Sequence, residues 1–146
     1  MFKLLELEKL IRSSGFRIRY LSRENSEYSG VVRVYTKQID IQADQHFNYK
    51  LRQWNPESIL CCVLAHEYGH WLDYQARPWA FDTSTYHYVT WMSRMDLEQH
   101  ANDWSLLVLQ SIGFNDWDCF ERIRLDNLEY HMEFRDEIFN WRSVNL

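Results

Sequence analysis

The spacing of apolar residues in the first third of the chain predicts one helix followed by a short sheet. Residues 2–13 (FKLLELEKLIRS) place leucine and isoleucine at three- and four-residue intervals, which is typical of an amphipathic helix. Residues 16–20, 31–35 and 38–42 are short runs rich in Ile, Val and Tyr, which is typical of half-buried strands. Only the dipeptide Thr-Lys at 36–37 separates the last two runs, so we expect a hairpin, although two-residue turns do not favour that dipeptide.

A second helix is predicted to begin at Asn55-Pro56. Asparagine suits the capping position because its side chain accepts a backbone hydrogen bond, and proline suits the first helical position because its missing N–H is not needed there. The helix should continue to about Gln75, because Pro78 disfavours helical backbone just before it.

Further helices are predicted in the rest of the chain. One runs from about Met95 to Gln110 and is ended by Gly113. The tail, residues 116–142, has a helical pattern in one or two pieces. A helix, a small three-stranded sheet and then helices predict an α+β fold.

Composition narrows the class of protein. With 146 residues, of which 46% are apolar, the chain is long enough to bury one core, and we expect a single domain over residues 1–146. The net charge of −5, with Lys and Arg scattered among acids, argues against direct nucleic-acid binding. No apolar stretch approaches the roughly 20 residues that cross a membrane, and Glu6 and Glu8 interrupt the N-terminal segment where a secretory signal would be apolar. The three cysteines form no CxxC pair, so a reducing cytoplasm is the expected location.

Residues 64–73 (LAHEYGHWLD) carry the chemistry. His66 and His70 are four residues apart, so both imidazoles leave the same face of the predicted helix one turn apart, as two ligands of one tetrahedral zinc ion require. Glu67 lies beside the first histidine and can act as general base on a zinc-bound water. A match to HExxH also arises by chance, and the alternative is a structural helix with paired histidines.

A catalytic zinc ion needs a third protein ligand. Glu98 is favoured because it lies on a helix-patterned segment, and that helix can pack rigidly against the helix that carries His66 and His70. The side chain of His100 would point in nearly the opposite direction from that of Glu98, so the two residues cannot easily bind the same metal ion from one regular helix. The residues downstream of the motif that could be this third ligand are His87, Asp96, Glu98, His100 and Asp103.

Other residues near the motif have expected supporting roles. Glycine inside a helix costs about 1 kcal/mol relative to alanine, so Gly69 indicates that another element or a substrate backbone approaches closely. Asn102 could hydrogen-bond the second nitrogen of a ligand histidine. Asp73, seven residues after His66, could orient a ligand or face solvent.

Three residues of the aromatic-rich stretch between the two helices are candidate oxyanion stabilisers: Tyr86, His87 and Tyr88. For each of them an ordinary surface side chain is the commoner outcome. His46 and His131 belong to no motif, and no role is assigned to them.

Two segments together resemble a known family. Residues 65–70 (AHEYGH) and 98–107 (EQHANDWSLL) are similar to the paired motifs of the ImmA/IrrE-type zinc metallopeptidases, AHExGH and a later helix reading ExxANxFAxxLL. The Ile-x-Ile strand within 38–42 also resembles the family's arrangement before its active-site helix. The resemblance covers about residues 1–110, and residues 111–146 remain an unassigned helical extension.

The resemblance implies a minimal, gluzincin-like zincin fold that binds one zinc ion per chain through His66, His70 and Glu98, with Glu67 as catalytic base. It also implies a protein substrate, since members of this family cleave helix-turn-helix transcriptional repressors of mobile elements, phages or stress responses. Tyr68, Trp104 and Ser105 depart from the family pattern. The alternative is a zinc-binding scaffold of the same fold that sequesters a partner with little turnover.

Overall fold

Over the residues that it describes, a computed structural model of the chain has an α+β architecture, with four helices and one three-stranded mixed sheet. The structure describes residues 2–22, 29–45, 49–81 and 91–145, with the backbone alone at residues 2, 49, 91–93 and 133–145. The elements in chain order are α1 (Phe2–Ser13), β1 (Arg17–Leu21), β2 (Gly30–Arg33), β3 (Gln38–Gln42), α2 (Pro56–Ala76), α3 (Trp91–Ser111) and α4 (Trp117–Asn145), with short 3-10 helices at Tyr49–Leu51 and Pro78–Phe81.

The sheet has the order β1-β3-β2, so the third strand in the chain lies in the middle. β3 pairs parallel with β1 and antiparallel with β2, which confirms the predicted hairpin. The connection is longer than the predicted dipeptide, because β2 ends at Arg33 and residues 34–37 form the turn. Lys37 has a φ of 53°, so the chain reverses through one left-handed residue rather than through a tight two-residue turn. Because β3 lies in the middle of the described sheet, β2 lies at one edge of it.

The predicted start of α2 is confirmed. The Asn55 side chain accepts a hydrogen bond from the backbone N–H of Glu57 at 2.8 Å, and proline occupies the first turn. At the other end the backbone N–H of Arg77 donates to the carbonyl of Asp73. These two contacts satisfy backbone groups that the ends of the helix would otherwise leave without a partner.

The core lies between α1, the inner face of the sheet, α2 and α3. Its fully buried aliphatic side chains are Leu7, Ile11, Ile39, Ile41, Ile59, Leu64 and Leu109. Cys61 and Cys62 are buried free thiols within this core.

Tyr68, one of the departures from the family pattern, packs at the junction of α1 and α2. Its side chain is 4% exposed, its hydroxyl lies 2.8 Å from the Ser14 hydroxyl, and its ring stacks on Trp71 and meets Phe16 edge-on. The tyrosine therefore belongs to the packing of the fold and leaves the two histidines on the other side of the helix free for chemistry.

α3 lies directly against α2 at Gly69. A Cβ atom at this position would lie 2.5 Å from the carbonyl oxygen of Ala101, closer than such atoms approach one another. The expected close approach is confirmed, and the approaching element is the backbone of α3. Ala101 is fully buried at the contact, so small residues on both helices bring the Glu98 segment beside the histidine pair.

The C-terminal segment forms one helix, α4, which packs on α2 and α3. This helix corresponds to the tail, residues 116–142, for which the sequence predicted a helical pattern in one or two pieces. Among the described helices, none is both long and apolar enough to span a bilayer.

Candidate metal centre

Three side chains converge between α2 and α3. The Nε2 atoms of His66 and His70 lie 2.8 Å and 3.4 Å from the same carboxylate oxygen, Oε2 of Glu98. The two imidazole rings stand nearly perpendicular with their centres 4.8 Å apart. One ligand atom from each of the three residues lies within 4.8 Å of the others, so the group could hold a metal ion.

The hydrogen bonds of His66 show what this arrangement requires. Its Nδ1 lies 2.9 Å from the side-chain oxygen of Asn102, which can only accept, so Nδ1 carries a proton. Its Nε2 faces a second acceptor, the Glu98 carboxylate, at 2.8 Å. Two acceptors on opposite sides of one imidazole require a cation at Nε2, either a proton or a metal ion.

The pKa of His66 is consistent with this geometry. Burial lowers the pKa of the imidazole, but the hydrogen bond to Glu98 and its negative charge outweigh that effect and raise the pKa to about 9. The contact with the Glu98 carboxylate therefore favours the protonated form of His66 when no metal is bound. A metal ion would take the place of that proton.

The other third-ligand candidates on α3 point elsewhere. Asp96 accepts a hydrogen bond from Arg77 at 2.9 Å, and the His100 ring lies 2.9 Å from the backbone carbonyl of Asp96. Asp103 is exposed. Among the described candidates, Glu98 is thus the carboxylate that the fold brings to the histidine pair, and His100 is a helix-surface residue as expected.

Several predicted residues lie outside the described part of the chain. Tyr86, His87 and Tyr88 belong to the undescribed range 82–90, and His46 to 46–48. The roles suggested for the first three as oxyanion stabilisers, and for His87 as a metal ligand, therefore stay predictions.

Asp73 binds Arg77 and not a candidate metal ligand. It is fully buried, and Arg77 binds both of its carboxylate oxygens, at 2.7 Å and 2.8 Å. The same guanidinium reaches Asp96 on α3 at 2.9 Å. Arg77, one helical turn after Asp73, can form a two-pronged ion pair that neither histidine offers, so Asp73 fastens the end of α2 to α3.

Asn102 makes the predicted contact. It lies one turn after Glu98 on α3 and is 7% exposed, and its contact with His66 joins the two helices across the site. The contact places the proton of the ring on Nδ1, which directs the Nε2 lone pair of a neutral His66 toward the metal position.

Glu67 lies between α2 and the edge strand β2. The backbone N–H of Val32 donates to its carboxylate, and a Cβ atom at Gly30 would lie 2.9 Å from its Cγ, so the absence of a side chain at Gly30 makes room for it. Burial raises the pKa of Glu67 above the usual carboxyl value, against the opposing charges of His66 and His70. A carboxylate with a raised pKa beside a metal position is suited to accept a proton.

The site opens into a cavity of about 420 Å³, which lies within the size range of ligand pockets. Residues from β2, α2, α3 and α4 form its wall. They include Gly30, His66, Glu67, Arg94, Glu98, Asn127 and His131. Two of the candidate ligands, His66 and Glu98, therefore share one space with the candidate base Glu67.

Sequence analysis missed the contribution of α4. His131, to which no role was assigned, is 2% exposed, and its Nε2 lies 3.3 Å from Oε1 of Glu98. Asn127, one turn earlier, donates to Oε2 of the same carboxylate at 3.2 Å. The i, i+4 spacing of Asn127 and His131 places them on one face of a helix, which is the signal that could have drawn attention to them.

The carboxylate of Glu98 is held in its charged form. Burial raises its pKa, but hydrogen bonds with His131, His66 and His70 lower it well below the usual carboxyl range. An ionised carboxylate and two imidazoles form a donor set that suits a divalent transition metal.

Comparisons of the chain with models of protein families, with curated proteins and with solved structures found no match.

Proposed function

We propose that this chain is a zinc-dependent metalloendopeptidase with a zincin-like fold, in which Glu67 acts as general base. The observation that carries the proposal is the convergence of His66, His70 and Glu98 in one group, next to a cavity that His66, Glu67 and Glu98 line. The resemblance of residues 65–70 and 98–107 to the ImmA/IrrE-type peptidases points to the same chemistry.

The distances from Glu98 to the two histidines are compatible with zinc. Two atoms that bind a tetrahedral zinc ion at about 2.0–2.1 Å lie roughly 3.3 Å apart. The separation between His70 and Glu98 is 3.4 Å, and that between His66 and Glu98 is 2.8 Å, a hydrogen-bond length. A shift of about half an ångström in the second distance would fit zinc in place of the proton, and two histidines with one carboxylate leave the fourth position open for water.

Glu67 performs the central proton transfers in this proposal. Zinc bound at the site would lower the pKa of a water molecule to about 7 and polarise the carbonyl of the substrate. Glu67 would accept a proton from the attacking water and would then deliver a proton to the leaving amine. The hydrogen bond from Val32 holds the carboxylate in place, and burial tunes its pKa upward for this role.

The edge strand β2 is the proposed place for the substrate peptide. Among the described strands, only β3 pairs with β2, and the first residue of β2, Gly30, borders the cavity next to Glu67. An extended peptide could add to this edge through main-chain hydrogen bonds. By resemblance to the ImmA/IrrE-type peptidases, we propose a helix-turn-helix repressor as substrate and the cytoplasm as the location.

The alternative is a protein of the same fold that binds zinc and sequesters a partner without cutting it. A site that only needed to hold metal would require the three ligands and no carboxylate beside the open position. Glu67 is packed into the cavity wall by Gly30 and Val32, which favours the enzyme.

Comparison of newly formed protein N-termini in cells tests the proposal. The wild-type chain and the Glu67→Gln variant would be expressed at equal levels in the native host, and N-termini would be mapped by mass spectrometry. We expect a small set of new N-termini with wild type, which Glu67→Gln abolishes while it retains one zinc ion per chain. The same N-termini with both proteins would refute the general base, and none with either would favour sequestration.

A further inference from the structure

The carboxylate of Glu98 has a second side, which faces α4. Its Oε2 atom is turned toward the two histidines, whereas its Oε1 atom lies 3.3 Å from Nε2 of His131. The His131 side chain is 2% exposed, so water does not compete for this contact. On its far side, His131 accepts a hydrogen bond from Nε of Arg94 at 3.0 Å.

The chemistry of Arg94 decides the protonation of His131. A guanidinium N–H can only donate, so the Nδ1 atom that it meets must carry a lone pair. The single ring proton is then on Nε2, the atom that faces Glu98. The order of donors is therefore Arg94 to His131 to Glu98, with each hydrogen bond pointing toward the carboxylate.

This order gives the two oxygens of Glu98 different tasks. Oε1 accepts from His131, and the side of Oε2 that faces the histidines is left for a metal ion. Asn127 donates to Oε2 as well, at 3.2 Å, but a carboxylate oxygen has two lone pairs and can serve an amide and a metal together. We propose that His131, held in the Nε2–H tautomer by Arg94, is a positioning residue that orients Glu98 as a ligand through one oxygen.

The proposal rests on the proposed zinc site and adds α4 to it. His131 and Asn127 belong to the segment 111–146, outside the two sequence motifs. Partners of this kind usually contribute about 10- to 100-fold to metal affinity, because they fix the ligand in its binding orientation before the metal arrives. His131 would act through Glu98 and would not itself contact the metal, because its Nε2 carries a proton.

Two substitutions at His131 separate positioning from packing. His131→Phe keeps a ring of similar size but removes the donor, whereas His131→Gln keeps an N–H near the Nε2 position. We expect zinc affinity, measured by competition with a chromophoric chelator, to fall about 10- to 100-fold in His131→Phe and to be largely restored in His131→Gln. The visible absorption spectrum of the Co²⁺-loaded protein should change in His131→Phe, since the carboxylate is then free to bind through both oxygens.

The outcomes are distinct from those that test the zinc site itself. If the wild-type chain binds no zinc, the proposed function fails. If wild type binds one zinc ion and His131→Phe matches it in affinity and Co²⁺ spectrum, only the positioning role is refuted. Zinc retained in Glu98→Ala but lost in the double variant Glu98→Ala/His131→Phe would make His131 a ligand and would also overturn the proposal.

Arg94 provides a second route if His131→Phe does not fold, which circular dichroism of the metal-free protein would reveal. Arg94→Met removes the donor that selects the tautomer and leaves His131 in place. We expect reduced zinc affinity and an altered Co²⁺ spectrum in Arg94→Met, with Arg94→Lys closer to wild type because it can still donate. Unchanged affinity and spectrum in Arg94→Met would refute the relay.

Discussion

The side-chain oxygen of Asn102 lies 2.9 Å from Nδ1 of His66, on the side of the ring opposite Glu98. This contact joins α3 to α2 and selects the tautomer in which Nε2 can bind a metal. Glu98 and Asn102 both contact His66, and they lie one helical turn apart on α3.

Replacing Asn102 should weaken metal binding. In Asn102→Ala the orientation and tautomer of His66 are no longer held, and we expect zinc affinity to fall about 10-fold or more. Competition with a chromophoric chelator measures the change. Asp103→Ala is the matched control, because Asp103 is the next residue on α3 and is exposed. Equal losses in both variants would show that the effect is not specific to the His66 contact.

Metal content should depend on Glu98 and not on His100. We expect one zinc ion per wild-type chain by elemental analysis, little zinc in Glu98→Ala, and wild-type content in His100→Ala. The physical reason is direction, since Glu98 reaches both histidines whereas the His100 ring turns back to the carbonyl of Asp96. Full zinc content in Glu98→Ala would contradict the assignment of the third ligand.

Gly69→Ala should destabilise the fold, contrary to what helix propensity alone predicts. Alanine in place of glycine within a helix ordinarily stabilises by about 1 kcal/mol. Here the new methyl group would lie 2.5 Å from the Ala101 carbonyl oxygen, and α3 would have to move. We expect a net loss of about 1–3 kcal/mol in the free energy of unfolding from urea denaturation, together with weaker zinc binding. A stabilised variant would show that the two helices can separate at little cost.

The stability of the metal-free protein should depend on pH through Asp40. This carboxylate is 5% exposed on the sheet; the Arg19 guanidinium lowers its pKa well below the ordinary value, burial opposes the shift, and Arg33 and Gln38 add to it. A lowered folded-state pKa gives stabilisation that is present above about pH 4 and is lost as the pH falls below it. Because both arginines are half-exposed, we expect a contribution on the order of 1 kcal/mol near pH 7.

Asp40→Asn tests this contribution, because asparagine does not titrate. The difference in unfolding free energy between wild type and Asp40→Asn, measured by urea denaturation with a chelator present, should be largest at neutral pH. It should shrink as the pH falls from about 5 toward 2. Asp103→Asn, at an exposed position, should show no such trend. A difference that stays constant or grows in acid would contradict the role of the ion pair.

Much of the candidate site was predictable because its signals are local. The spacing of His66 and His70 places both rings on one helical face whatever surrounds the helix, and the cap at Asn55-Pro56 marks where that helix begins. Gly69 indicated a close neighbour because an unforced glycine is unfavourable within a helix. Glu98 was favoured because its segment has a helical pattern and can pack against the first helix, and Asn102 followed from its position one turn after Glu98.

The order of the strands and the surroundings of Glu98 depend on contacts between distant parts of the chain. The hairpin was predictable, but the placement of β3 between β1 and β2 depends on which strand pairs with Arg17–Leu21 across the intervening segment. Asp73 was ambiguous because helical spacing gives its face and not its partner; Arg77 takes both of its oxygens.

The sequence by itself determined the histidine pair and the helix that carries it, because both depend on residues within one or two helical turns. It favoured Glu98 as the carboxylate that could join them. Only the tertiary structure decided that Asn127 and His131 contact that carboxylate and that Arg94 contacts His131. The angle and depth at which α4 packs against α3 arise from the whole core, and no local pattern encodes them. The identity of the donors to Glu98 was therefore settled by helix packing.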